Sequence, residues 1–176
     1  MSKLTAEAAW TLDPPGLWEL VDGQVVFMSP AGARHGRVVA RVTRALADFV
    51  EAGRLGVVLA GDVGFVLRRD PDTVRAPDVA FLASARLTGP LPAEFVTGAP
   101  DLAIEVVSPG DRWSEVDKKA AEFLAAGATA VWAIDPGAEI AKIYSKAGVR
   151  ELPRTDNLTC PDLLGDFELR LPDLWT

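Results

Sequence analysis

Asp101-Leu102-Ala103-Ile104-Glu105-Val106-Val107-Ser108-Pro109 decides how this chain is read. The run is apolar and β-prone, so it predicts a buried strand closed at Ser108-Pro109-Gly110, yet it carries Glu105 in its middle. A second run, Pro77-Asp78-Val79-Ala80-Phe81, repeats the pattern with Asp78. An ionised carboxylate inside a dry sheet is costly unless a cation or donors neutralise it, so packing does not account for either residue. Oxygen ligands on rigid strands suit Mg²⁺ or Mn²⁺, held by one or two carboxylates and completed by water and substrate phosphate. Two such strands side by side imply phosphodiester hydrolysis.

At 176 residues and 49% hydrophobic content the chain suits one well-buried domain. We expect residues 1–16 to form a lead-in, with Leu4, Trp10 and Leu12 closed by Pro14-Pro15-Gly16, and 17–176 to form the domain. No apolar stretch reaches membrane-spanning length and no leader pattern opens the chain, so no membrane and a cytoplasmic location are the expectation. The single cysteine, Cys160, excludes an internal disulfide and a multi-cysteine zinc site. The single histidine, His35, makes histidine-rich metal sites and His-based triads hard to build. A net charge of −7 argues against a broad basic nucleic-acid surface. The charge is uneven: residues 1–90 hold ten Lys/Arg against ten Asp/Glu, and 91–176 eight against fifteen, which leaves room for a local basic face.

Working toward the N-terminus, residues 77–82, 63–67 and 55–60 read as three strands of a meander. Residues 34–52 read as a helix on Val38, Val42, Ala45, Leu46, Phe49 and Val50, stopped at Gly53. Its other face carries Arg34, Arg37, Arg41 and Arg44, which reads either as a solvated face or as a phosphate-binding stripe. Trp18 to Val21 and Gln24 to Met28 flank Asp22-Gly23 as a β-hairpin. Toward the C-terminus, 84–100 reads as an irregular connection with a helical turn near 92–95. Ser114-Glu115-Val116-Asp117 resembles a capping box that opens a helix over 114–126, with Gly127 as its stop. Strands at 129–134 and 139–144 follow around Asp135-Pro136-Gly137, and strand 101–107, the helix and strand 129–134 form a parallel crossover. In that helix Val116, Ala120, Phe123 and Leu124 mark the packed stripe; Lys119 lies beside it and Lys118 points to solvent. Lys119 could neutralise charge on a scissile phosphate or orient water, the alternative being a surface lysine paired with Glu115 or Glu122.

Trp18-Glu19-Leu20-Val21-Asp22-Gly23, Ser29-Pro30, Pro77-Asp78-Val79, Pro100 through Pro109, Lys119, Ala126-Gly127 and Val131-Trp132-Ala133-Ile134-Asp135-Pro136 together resemble the Uma2 family of the PD-(D/E)XK restriction-endonuclease-like superfamily. The resemblance implies an α/β fold, a restriction-endonuclease-like mixed β-sheet flanked by α-helices with an N-terminal β-hairpin, and a Mg²⁺- or Mn²⁺-dependent DNA endonuclease. It implies Asp78 and Glu105 as metal ligands, the Val106 carbonyl as a further ligand, Glu19 as an additional acidic group in the catalytic set, and Lys119 as the lysine. Val107 stands where the plain signature has that lysine, and Phe123 where the family has tyrosine. His35 falls where a family histidine does, so it joins Arg34 and Arg37 as a candidate phosphate contact; a helix-capping or exposed histidine is the plainer reading.

Asp101 and Asp135 read as strand-end and turn chemistry, Ser108 has no base beside it, and Trp132 reads as core. The apolar tail (Leu163, Leu164, Phe167, Leu169, Leu171, Leu174, Trp175) is expected to pack or to join subunits, the latter suggesting a homodimer or higher homo-oligomer. The competing functional reading is a catalytically silent nuclease-fold binding or regulatory protein; hydrolysis of RNA is a third.

Overall fold

The computed structural model describes residues 3–175. Strands β1 (Trp18–Val21) and β2 (Gln24–Phe27) form the expected hairpin, turned by Asp22 at φ 53° and Gly23 at φ 75°. Two successive positive φ angles are what a tight hairpin of the favoured twist demands. At Gly23 space matters too, because a Cβ there would come within 2.6 Å of Lys3 Cβ.

The chain continues through α2 (Ala33–Gly53), β3 (Gly56–Ala60), β4 (Phe65–Arg68), β5 (Thr73–Arg75) and β6 (Val79–Ala83). Next come β7 (Val96–Thr97), β8 (Leu102–Val106), α3 (Trp113–Ala125), β9 (Ala130–Asp135), β10 (Ile140–Ser145) and β11 (Gly148–Leu152). The tail adds β12 (Asn157–Thr159), α4 (Pro161–Leu164), β13 (Glu168–Arg170) and α5 (Pro172–Trp175); the N-terminal segment contributes α1 (Ala6–Leu12). The large sheet has the order β11-β10-β9-β8-β6-β3, and the smaller one β2-β1-β5-β4-β7. In the large sheet only β8 and β9 run parallel, joined across α3 as the crossover reading requires.

The large sheet is mixed and carries a helix on each face. On one side Val38, Val42, Leu46 and Val50 of α2 pack with Leu102, Ile104, Val106, Trp132 and Ile134. On the other, Ala120 and Phe123 of α3 pack with Ala103, Val107, Val131 and Ala133. The period-two alternation of β8 therefore sends Glu105 to the α3 side.

Several expectations are corrected. The 55–82 region is no meander: β3 pairs β6 in the large sheet, while β4 leaves to pair β5 and β7 in the other. No helical turn forms near 92–95; a 3₁₀ turn occupies Ser84–Arg86 instead. Ser114 does not cap α3, whose N-cap is Arg112 without a side-chain bond. The left-handed residue ending α2 is Arg54 rather than Gly53. The apolar tail takes the first of its two expected roles and packs, with Leu164, Phe167, Leu169, Leu171 and Leu174 buried against the α2 face. Within the N-terminal lead-in, α1 packs on the smaller sheet, with Ala6 and Ala9 buried against Leu20, Val66 and Val74. Among the described residues no helix is long and apolar enough to cross a membrane.

Candidate functional site

The ladder between β6 and β8 sets the geometry. Val79 stands opposite Ile104 and Ala80 opposite Ala103, so one further step brings Asp78 level with Glu105. The Val106 N–H donates to Asp78 Oδ2 at 2.7 Å, fixing that carboxylate at the end of the strand pair. His35, in the first turn of α2, places Nε2 3.3 Å from Asp78 Oδ1. The Asp78 hydrogen bond raises the His35 pKa above its usual 6.5, with a hydrogen bond to the Val106 backbone assisting and partial burial opposing.

Glu105 faces Lys119, which reaches down from the second turn of α3. Lys119 Nζ lies 2.9 Å from Glu105 Oε1, 3.1 Å from Oε2 and 2.8 Å from Glu19 Oε1, and donates to the Ala76 carbonyl at 3.2 Å. Burial pushes the Glu105 carboxyl up to about 8, and the nearby Asp78 and Glu19 charges add to the rise while Lys119 opposes it. Lys119 moves the other way from what burial alone would do: Glu105 and Glu19 together outweigh desolvation and hold the ammonium charged. Lys118, by contrast, is exposed and lies 3.9 Å from Glu122.

Glu19 is only 5% exposed, yet its carboxylate stays below the ordinary value. Desolvation works against ionisation there, but Lys119, Arg75 at 2.7 Å and the Ala76 N–H at 2.9 Å more than offset it. Both Glu19 oxygens are thus engaged in holding Lys119 and Arg75 in place. Arg75 spans the gap by also donating to Glu122 Oε2 at 2.7 Å, tying the hairpin, β5 and α3 together.

The set Asp78, Glu105 and the Val106 carbonyl offers hard oxygen donors that could hold a Mg²⁺ or Mn²⁺ ion. Glu105 Oε1 is buried and receives no hydrogen bond of regular geometry, its near neighbour being the Lys119 ammonium at 2.9 Å. Among the described residues no three His, Cys, Asp or Glu side chains form a closed metal cage. Two carboxylates and a carbonyl suit an ion that keeps several waters.

Of the other expected residues, Arg34 and Arg37 lie elsewhere, lining a hollow with Pro136, Gly137, Leu174 and Trp175. Phe123 is fully buried in the α3 core and brings no polar group to the site. Asp101 accepts from the Ala83 N–H at 2.8 Å, Asp135 Oδ1 accepts from the Gly137 and Ala138 N–H groups, and Trp132 is fully buried, each as the bland reading expects. Two residues were missed. Arg75 ends the three-residue strand β5, which no local signal marks. Asp62 lies in a turn at φ 59°, and burial first, then the Asp78 charge, raises its pKa.

A family model described as "Uma2: Putative restriction endonuclease" matches residues 8–172. Among solved structures, the chain is similar to the crystal structure of a putative nuclease belonging to DUF820 from Anabaena variabilis ATCC 29413. The TM-score is 0.83 at 18% identity, covering 98% of this chain and 97% of that one. No protein of curated function matches the chain in sequence.

Proposed function

The chain belongs to the Uma2 family, and from that premise we propose that it is a Mg²⁺- or Mn²⁺-dependent DNA endonuclease, its site carried by a single unit over residues 17–176. The observation that carries this reading is the contact of Lys119 Nζ with both Glu105 oxygens, at 2.9 and 3.1 Å, beside the Asp78 carboxylate. A bound divalent ion would polarise the phosphate and lower the pKa of a water.

The chain's own groups supply the rest. Asp78, Glu105 and the Val106 carbonyl are the ligands, and His35 holds Asp78 by hydrogen bonding to its free oxygen. Lys119 is unsuited to act as a base, because its two carboxylate partners keep it protonated; it serves as a fixed positive charge for a phosphate oxygen and as a donor that orients water. Glu19 and Arg75 are positioning residues, since they act through Lys119. A homodimer would let two such sites address both strands of a duplex.

Relaxation of supercoiled plasmid tests the proposal. Nicking should require Mg²⁺ or Mn²⁺, stop in EDTA, and vanish in Glu105→Ala and Lys119→Ala. Full cleavage by either purified variant would overturn it. The acidic balance of −7 favours one rival, a silent binding protein; it predicts DNA binding with no product under any metal.

A further inference from the structure

Beside the site lies a cleft of about 430 Å³ that the carboxylate and lysine chemistry leaves unused. Trp10, Trp18 and Phe95 line it, with Asp13, Asp62 and Ala76. The rings meet edge to face: Trp10 and Phe95 at 5.1 Å with an interplanar angle of 81°, Trp18 and Phe95 at 5.9 Å and 80°. Trp10 remains 46% exposed, so its indole is available to a ligand. Gly64 lets the Phe95 ring pack where it does, since a Cβ there would fall 2.4 Å from that ring. The cleft also shares Ala76 with the site: Ala76 lines it while its carbonyl accepts from Lys119 and its N–H donates to Glu19.

Resting on the nuclease reading, we infer that this cleft seats one unpaired nucleobase next to the scissile phosphate, so that the substrate is single-stranded or locally unpaired DNA. Three observations select that occupant. Aromatic walls offer stacking to any base, and a base inside a duplex cannot reach them without leaving its stack. Asp13 and Asp62 repel a phosphate from the cleft, yet they accept from the N–H groups on a base edge. The chain carries a net charge of −7 and commits Arg75 to internal carboxylates, so backbone attraction is weak and stacking has to supply the affinity. The same acceptors disfavour thymine, whose one N3–H donor is flanked by two carbonyls, relative to bases with an exocyclic amine.

Anisotropy of end-labelled oligonucleotides, recorded in EDTA with the full chain, tests this without any chemistry. A single strand and a duplex with one unpaired adenine should bind about tenfold more tightly than the perfect duplex. Trp10→Ala should cost about tenfold on the single strand alone, with the folded circular-dichroism spectrum retained, and Trp10→Phe should restore most of it. Asp13→Asn, an exchange that the left-handed backbone there tolerates, should narrow the preference for adenine over thymine tracts. Equal affinity for duplex and single strand, or Trp10→Ala binding indistinguishable from the parent, would overturn the inference. Binding of this kind without cleavage under any metal would count against the nuclease reading alone. Cleavage of perfect duplex that Trp10→Ala leaves intact would count against the cleft alone.

Discussion

Glu105→Gln should make the cation-free protein more stable at alkaline pH while abolishing cleavage. The folded carboxyl is raised from 4.5 to about 8, chiefly by burial. A group raised on folding contributes stability that is fully present below its unfolded value, near 4.5, and lost as pH rises through about 8. At about 1.4 kcal/mol per unit, ionising the buried group carries a ceiling of roughly 4 to 5 kcal/mol. Two effects reduce the net gain. Solvent reaches 16% of the side chain, and glutamine forfeits the charge contact with Lys119, which keeps Glu19. A gain of about 1 to 2 kcal/mol at pH 8 is what remains, or roughly 2 to 8 °C in melting temperature for a chain of this size. Thermal melts in EDTA from pH 5 to pH 9 check it. The parent should lose stability relative to the variant as pH rises, and Mn²⁺ should raise the melting temperature of the parent only. A variant destabilised at pH 8, with a profile parallel to the parent, would show that Glu105 is a structural anchor for Lys119 and refute the reasoning.

Glu19→Gln should cost about 2 kcal/mol, because Arg75 and Lys119 each lose one of two carboxylates; an unchanged denaturation midpoint would mean those contacts carry no weight. Asp101→Ala, which frees the Ala83 N–H and Arg86, should cost about 1 to 3 kcal/mol in denaturant melts and leave Mn²⁺ affinity untouched. His35 is the sole histidine, so its NMR titration is unambiguous: the folded value should lie above 6.5, so its stabilising contribution is complete below 6.5 and fades as pH rises through the folded value. Asp78→Asn should bring that titration back toward 6.5, and a curve unmoved by the exchange would contradict the pairing.

The core of the site was legible because it breaks a local rule. Glu105 sits in an apolar β run, and Lys119 lies one turn before Phe123 beside the packed stripe, so their conflict with simple burial could be seen residue by residue. Arg75 was hidden because β5 is three residues long; pairing with β1 and β4 makes it a strand, with Leu20 opposite Val74, and local propensity does not report such partners. The same cause misled the meander reading. Gly61-Asp62 looks like a hairpin turn, but β3 and β4 enter different sheets. Ser114 fitted a capping pattern, yet α3 begins one residue earlier. The aromatic cleft joins Trp10, Trp18 and Phe95 from segments far apart in the chain, and no local pattern encodes that meeting.

Diffraction from crystals grown with Mn²⁺, read at the manganese absorption edge, addresses the central claim most directly. The account predicts one strong anomalous peak touching the carboxylates of Asp78 and Glu105 and the carbonyl of Val106, absent from Glu105→Gln crystals grown alike. No peak between those oxygens at saturating Mn²⁺, or one that persists in the variant, would contradict it.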